Sequence, residues 1–342
     1  MPTHRHVALA AEIGMLVREP DVVQARREML RLLTEILDGD AGSLIAVDPF
    51  AGEHRQVAGS GYAAGTARSL AVDFARTHWF DYVLDSDLPP SISEEPSQSF
   101  RRGWFYEEHV EPAGFRDGMT GALRRGGRYV GLVHLSSGRH GAFDTRARRL
   151  LASVMPALAA VADVTGWAVH AGGVPPSDRA ALVSGDRIVP VPERNRPQVL
   201  EDGAFRKVVA EFRESGGRRL RVLWPLDRTW HRVGLLSPGL PGCPPGAVLV
   251  HSRPAEVPYG LTGREVEVLT RLAMGMTNDV IAQQFFLSPR TIHKHVEHVL
   301  QKTRTSSRAE AAALAVREGI LWPVPGLPRR AGVRAFLTRT GG

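Results

Sequence analysis

The residues of this 342-residue chain best placed to do chemistry lie near its C-terminal end, in SPRTIHKHVEHVLQKTR. Ser288 and Pro289 stand as helix N-cap and first helical residue, where proline's missing amide costs nothing. Ile292, Val296, Val299 and Leu300 then recur at helical spacing and make an apolar stripe. The opposite side carries Arg290, Thr291, His293, Lys294, Glu297 and Gln301, all charged or hydrogen-bonding. Such a helix can offer its N-terminal amides and cations to phosphate oxygens, and its other polar side chains to base edges in a major groove.

Two earlier helices must position it. Thr262 and Glu265 form a T-x-x-E capping box, in which each residue satisfies an amide of the other. Behind it, Val266, Leu269, Leu272 and Ala273 keep helical spacing, and Gly275 supplies a left-handed stop. Thr277 is expected to cap a second helix with Ile281, Ala282 and Phe285 on one side. A fourth helix, SRAEAAALAVREG (307–319), is rich in alanine and so suited to close helix approach. A buried helix, a short turn and a polar-faced helix is the helix-turn-helix plan.

The stretch 261–321 resembles the DNA-binding domain of LuxR-type (LuxR/FixJ) transcription regulators. The matching residues are Leu261, Thr262, Arg264 and Glu265; then Gly275, Asn278, Ile281 and Ala282; then Ser288, Thr291, Ile292, His295, Val296, Lys302, Ser307 and Arg308. The resemblance implies double-stranded promoter DNA as partner, contacted from Asn278, Arg290, Thr291, His293, Lys294, His295, Glu297, Lys302 and Arg304. Among these, Lys302 and Arg304 are expected at flanking phosphates, and Thr291 at a phosphate by the helix start. The resemblance also implies a homodimer built on the fourth helix, hence half-sites about one helical turn apart. Three departures mark this chain. His293 stands where the family often has lysine, and Glu297 where several members are basic. Thr303 and Thr305 replace the usual apolar residues, which predicts looser packing on the fourth helix.

Charge is a weaker guide. The net charge is +7, but residues 261–321 hold eight Lys+Arg against six Asp+Glu. The tail 322–342 adds Arg329, Arg330, Arg334 and Arg339 without an acid, so the surplus sits at the C-terminal end. These arginines either touch phosphates or belong to a segment too rich in Pro and Gly for regular structure. The single cysteine, Cys243, cannot pair within the chain and lies in the Pro/Gly-rich loop PGLPGCPPG, which predicts an ordinary loop residue in a reducing compartment. No apolar run approaches the ~20 residues of a membrane span, and no signal-peptide pattern opens the chain. The expected setting is cytoplasmic, with no membrane partner.

The rest of the chain reads as α+β: a GAF-like/PAS-like antiparallel-sheet sensory region followed by the all-α four-helix domain. Residues 5–38 are expected helical, with Val7, Leu9, Ile13, Leu16 and Val17 on one apolar face. They either pair across a dimer or cover the sheet. Strands are expected at 42–49 and 54–62, a helix from Ala64 to about His78, a surface loop at 85–99 and a helix through Trp104, Tyr106 and Val110. Strands at 118–125 and 128–137 and an amphipathic helix through Leu150, Val154 and Leu158 complete a sheet with helices on one side. This order, over 1–165, is similar to a GAF domain. Residues 166–251 read as a hairpin, a helix and three strands, either a PAS-like module or an extension of the first domain. Residues 252–260 are expected to be a linker.

Nothing points to catalysis: G-x-S-x-G, P-loop, H-E-x-x-H and paired-cysteine patterns are absent from the sequence, and the histidines are scattered singly. No metal or cofactor is expected. His134, on a strand, reads as a packed imidazole. Trp79, Phe80, Tyr82 and Trp104 bracket the 85–99 loop and are candidate contacts for a small-molecule effector, or ordinary core. The expected function is a DNA-binding transcription regulator whose N-terminal region responds to a ligand or partner. The alternative is an assembly protein acting through the GAF-like region, with DNA binding secondary.

Overall fold

The computed structural model describes residues 11–95, 97–239 and 243–323. Val7, Leu9 and the tail arginines Arg329, Arg330, Arg334 and Arg339 lie outside them. Apart from the loop at Cys243, the chain divides into two compact units, the first ending at Ala171 and the second beginning at Gly172.

The first unit is built on four strands, β1 (Ala41–Val47), β2 (His54–Ser60), β3 (Asp117–Arg125) and β4 (Arg128–Ser137), in the order β2-β1-β4-β3. All neighbours are antiparallel. The β3–β4 turn uses Gly126 and Gly127, both at positive φ (55° and 78°), as a two-residue hairpin of this twist requires. Helix α1 (Val22–Ile36) starts at Asp21, whose carboxylate accepts from the Val23 amide at 2.9 Å. Its Met29 and Leu33 pack with Leu44, Val133 and Leu135 of the sheet and with Leu151, Val154 and Leu158 of the helix Thr145–Ala162.

The helices were expected on one side of this sheet, but both faces are covered. Residues alternate across a strand, so Ile45 and Leu132 point opposite to Leu44 and Val133, into a second cluster rich in aromatic rings. That cluster draws on α2 (Ala64–Val72), α3 (His78–Asp85) and short irregular turns at Phe100–Arg102 and Tyr106–Val110. The helix expected from Ala64 to about His78 ends at Val72, and a short turn at Phe74–Arg76 separates it from α3, which begins at His78. Thr77 caps α3 by accepting from the Phe80 amide at 3.3 Å. We number the two later helices of this unit α4 (Thr145–Ala162) and α5 (Val164–Ala171).

The second unit begins with its own five-stranded antiparallel sheet: β5 (Arg179–Ser184), β6 (Arg187–Pro190), β7 (Arg219–Leu226), β8 (Thr229–Leu236) and β9 (Val248–Pro254), in the order β6-β5-β9-β8-β7. Helix α6 (Gly203–Ser215), capped by Asp202, lays Phe205, Val208 and Phe212 on one face of it, against Val222, Val233, Leu235 and Val250. Strand β9 runs on through Ser252 and Arg253 to Pro254, so residues 252–254, expected in a linker, are part of the sheet.

Four helices follow: α7 (Gly263–Ala273), α8 (Asn278–Phe285), α9 (Pro289–Thr303) and α10 (Arg308–Glu318). They share a core with the sheet. Leu261, Val266, Leu269, Ala311, Ala315, Ile320 and Leu321 belong to the same apolar cluster as the α6-facing strands. The join is also polar: the Leu223 amide of β7 donates to the Leu321 carbonyl at 2.8 Å, and Arg232 donates to the Glu318 carbonyl at 3.2 Å. Burial of this kind contributes about 25 cal/mol per Å² of apolar surface, so the helical domain is held on the sheet rather than tethered to it.

Candidate nucleic-acid interface

Each start and stop around α9 is set by a nameable residue. The Thr262 hydroxyl accepts from the Glu265 amide at 3.3 Å, and the Glu265 carboxylate accepts from the Thr262 amide at 2.7 Å, completing the capping box. Gly275 (φ 84°) follows α7, and Thr277 caps α8. Phe286, 96% exposed, then turns the chain in the left-handed region (φ 54°). Ser288 caps α9, accepting from the Thr291 amide at 3.1 Å, with Pro289 in the first helical position.

The inner side of α9 buries Ile292 and Val296 against Val268, Leu272, Ile281 and Ala282. Val299 faces the core shared with the sheet. Facing outward are Arg290, His293, Lys294, Glu297, His298 and Gln301, all exposed. Thr291 and His295 are half-buried, and the Thr291 hydroxyl lies 2.8 Å from that of Ser288. His293 Nε2 is 3.3 Å from Glu297 Oε1, a pair with ionic character only when the imidazole is protonated. Arg304, in the left-handed C-cap of α9 (φ 56°), is exposed. His298 was not among the expected contacts, although its place one turn beyond Lys294 puts it on the same face.

Two expected contacts are placed differently. The Lys302 ammonium donates to Glu265 at 2.7 Å and to the Gly260 carbonyl at 3.0 Å. Glu265 is 5% exposed in its side chain. Burial raises its pKa, but the bonds from Lys302 and Thr262 outweigh that and hold it below the usual carboxylate range. Lys302 therefore ties the end of α9 to the start of α7. Asn278 is half-buried at the start of α8, its Oδ1 enclosed and without a hydrogen-bond partner among the described residues.

Other features were not visible in the sequence. Phe285 lies between two guanidinium groups, Arg264 at 3.5 Å and Arg271 at 4.0 Å from its ring centre. Arg271 also donates to Gln284 at 2.9 Å, so α8 is clamped on α7 through stacking as well as apolar contact. Thr303 and Thr305 do not loosen the packing. Thr303 is 5% exposed, and its hydroxyl bonds the Val299 carbonyl at 2.7 Å and the Thr305 hydroxyl at 2.9 Å. The apolar side of α10, with Ala311, Ala312 and Ala315, is covered by its own chain, while Ala309 and Ala313 are exposed.

In the first unit, Trp79 is 3% exposed and its ring packs 4.9 Å from Tyr82 and 4.8 Å from Phe100. Phe80 is half-buried against Phe74, Tyr129 and His54. Tyr82 and Trp104 are each 44% exposed, and Trp104 meets Phe105 and His109 edge-on. Trp79 and Phe80 belong to the aromatic core, and Tyr82 and Trp104 stand on its rim. Burial pushes the Cys243 thiol up to about 12, which leaves little thiolate for redox chemistry.

Residues 260–315 match the family model described as bacterial regulatory proteins, luxR family. The uncharacterized transcriptional regulatory protein YxjL of Bacillus subtilis is 39% identical over 66 residues, 19% of this chain and 30% of that protein. The probable transcriptional regulatory protein NarL of Mycobacterium tuberculosis is 36% identical over 87 residues, 25% of this chain and 39% of that protein. The chain thus spans about a third of the length of the curated relatives it matches. Among solved structures, a GAF domain of a Coxiella burnetii phosphoenolpyruvate-protein phosphotransferase aligns with 51% of this chain and all of its own, at 18% identity and TM-score 0.38. Escherichia coli SdiA aligns with 92% of this chain and 99% of its own, at 13% identity and TM-score 0.36. With its capping box, its turn and its outward polar helix in place, the C-terminal domain of this chain belongs to the luxR family of bacterial regulatory proteins.

Proposed function

We propose that the chain is a transcription regulator that binds double-stranded promoter DNA by laying α9 in the major groove. The observation that carries this reading is the outward row of α9. Arg290 and Lys294 on it are exposed, and their side chains make no hydrogen bond or ion pair among the described residues. Cations with no structural work, one turn apart beside a capped helix start, suit phosphate and base contacts. Arg290, Thr291, Lys294, His295 and Arg304 are the proposed phosphate and base contacts. His293 and Glu297 set the sequence preference, Glu297 as an acceptor for a cytosine amino group. Lys302 supports the site from behind.

The regulator is proposed to act in the cytoplasm as a homodimer. The exposed alanines Ala309 and Ala313, one turn apart on α10, support a close helix contact between copies. The α+β region before the DNA-binding domain is proposed to be sensory, shifting the population of DNA-competent molecules on binding an effector. Genome-wide mapping of bound DNA tests the whole reading, with enrichment of a two-fold symmetric motif as the expected result. In gel shifts at fixed salt, Arg290→Ala and Lys294→Ala should weaken binding about tenfold or more, and Glu297→Ala should change which duplex is preferred. Undiminished binding by the two cation variants would overturn the placement of α9, and no enriched sites would overturn the DNA reading.

A further inference from the structure

The sheet of the second unit has one face under α6 and another that carries an unusual concentration of cations. Strand partners share a face, and the register sets Arg221 beside Gly234 and Gly234 beside His251, with Arg232 directly opposite Arg253. Arg219, two residues before Arg221, joins the same face. Among the described residues, none of these four arginines has a carboxylate within 4 Å. Arg219 donates to the Gly172 carbonyl at 3.2 Å and Arg232 to the Glu318 carbonyl at 3.2 Å, while Arg221 and Arg253 are exposed. Like charges directly opposite on adjacent strands destabilise a sheet, so the Arg232–Arg253 pair is a cost that packing does not explain.

The arginines wall an open cavity of about 210 Å³ that belongs entirely to this unit. On its wall, His251 Nδ1 lies 2.8 Å from Asp178 Oδ2, and Asp178 is 4% exposed. The imidazole lies over Gly234: a Cβ there would come 2.0 Å from its Nε2, so only glycine leaves room for the ring. Gly172 and Gly173 form part of the rim, where a ligand can approach backbone closely. Among the described residues, Asp178 is the only carboxylate in the lining, and His251 occupies it.

We propose that this cavity binds a small oxyanion-bearing metabolite, its phosphate or carboxylate group held by Arg221, Arg232 and Arg253 with His251 beside it. Guanidinium groups present planar forks that match both oxyanions, and a bound dianion removes the like-charge repulsion across β8 and β9. The cavity is smaller than sites for drug-sized ligands, which favours a compact anion. Its concave wall, with buried Asp178 bonded to a half-buried His251, favours a small molecule over the ridge of a nucleic-acid backbone.

Isothermal titration calorimetry on the full chain, without DNA, tests this with potassium phosphate and with citrate against potassium chloride of equal ionic strength. Saturable binding of either is expected, and the tighter of the two identifies the oxyanion class. Arg221→Gln with Arg253→Gln should raise the dissociation constant at least about tenfold, the factor that accompanies loss of a charge-assisted hydrogen bond. Both side chains are exposed, so the variant should fold, and its circular dichroism and melting curve check that. Gly234→Ala, which displaces His251, should weaken binding as well. The proposal is overturned if heats follow ionic strength alone, or if the double variant binds as the wild type does. It is also overturned if random duplex DNA alone binds in an Arg221- and Arg253-dependent way.

Discussion

Lys302 separates two views of the helical domain, one in which it grips DNA and one in which it holds the domain together. Lys302→Met keeps the aliphatic stem and removes the ammonium that donates to Glu265 at 2.7 Å. Glu265 would remain buried, at 5% side-chain exposure, with the Thr262 amide as its surviving hydrogen-bond donor and His298 Nδ1 at 3.9 Å. A hydrogen bond between charged groups contributes about 1.5–3 kcal/mol, and Lys302 is about one-third exposed, at 35%, which screens part of it. The expected loss is about 1–2 kcal/mol, a fall in melting temperature of about 2–8 °C for a unit of this size.

The pH dependence gives an independent reading. The Glu265 carboxyl is held below its ordinary range in the folded chain, so its contribution is present above the unfolded value of about 4.3 and disappears as pH falls through the lower folded value. The difference between wild type and Lys302→Met should therefore be full at pH 7 and shrink below about pH 4. Pairing Lys302→Met with Glu265→Gln should restore part of the stability, because the buried charge goes with its partner. Thermal unfolding followed by circular dichroism measures all of this. An unchanged melting temperature for Lys302→Met, together with weaker DNA binding and a salt slope reduced by about one, would refute the strut and make Lys302 a phosphate contact.

Two further outcomes are expected. His134 is 1% exposed, Nδ1 2.9 Å from Thr120 Oγ1, and burial with the nearby His54 pushes its pKa down to about 3. A base with a depressed folded pKa costs stability as pH falls below its unfolded value, so up to about 1.4 kcal/mol per pH unit should be lost between about pH 6.5 and 3. Chemical denaturation across that range should show a flatter profile for His134→Gln, and an identical profile would remove His134 as the cause. Gly319 ends α10 in the left-handed region (φ 68°), and a Cβ there would come 2.5 Å from that of Arg221. Gly319→Ala should cost about 1–2 kcal/mol for backbone strain alone, with more for the contact on β7; a melting temperature within 1 °C of wild type would contradict it.

Much of the helical domain was legible because its signals are local. Thr262 with Glu265, Thr277, and Ser288 with Pro289 each act within one helical turn, and the apolar stripe of α9 follows from the same 3.6-residue period. The strands of both sheets were readable for a like reason, since β1, β4, β7 and β8 alternate or run apolar between clear turns. The ring cluster at Trp79, Phe80, Tyr82 and Trp104 was ambiguous, because aromatic residues look the same in sequence whether they line a ligand or fill a core.

By itself, then, the sequence determined where the helices of the C-terminal domain start and stop and which side of α9 carries its polar residues. Both are consequences of hydrogen bonds and side-chain spacing within a few residues. Only the tertiary structure decided that Lys302 faces inward to Glu265, 37 positions earlier, and that Phe285 sits between Arg264 and Arg271. It alone set Arg232 opposite Arg253 and joined α10 to the sheet through Glu318 and Leu321. Such partners are distant in the chain, and which of them a charged side chain finds depends on how strands register and helices pack. No local pattern of residues encodes that.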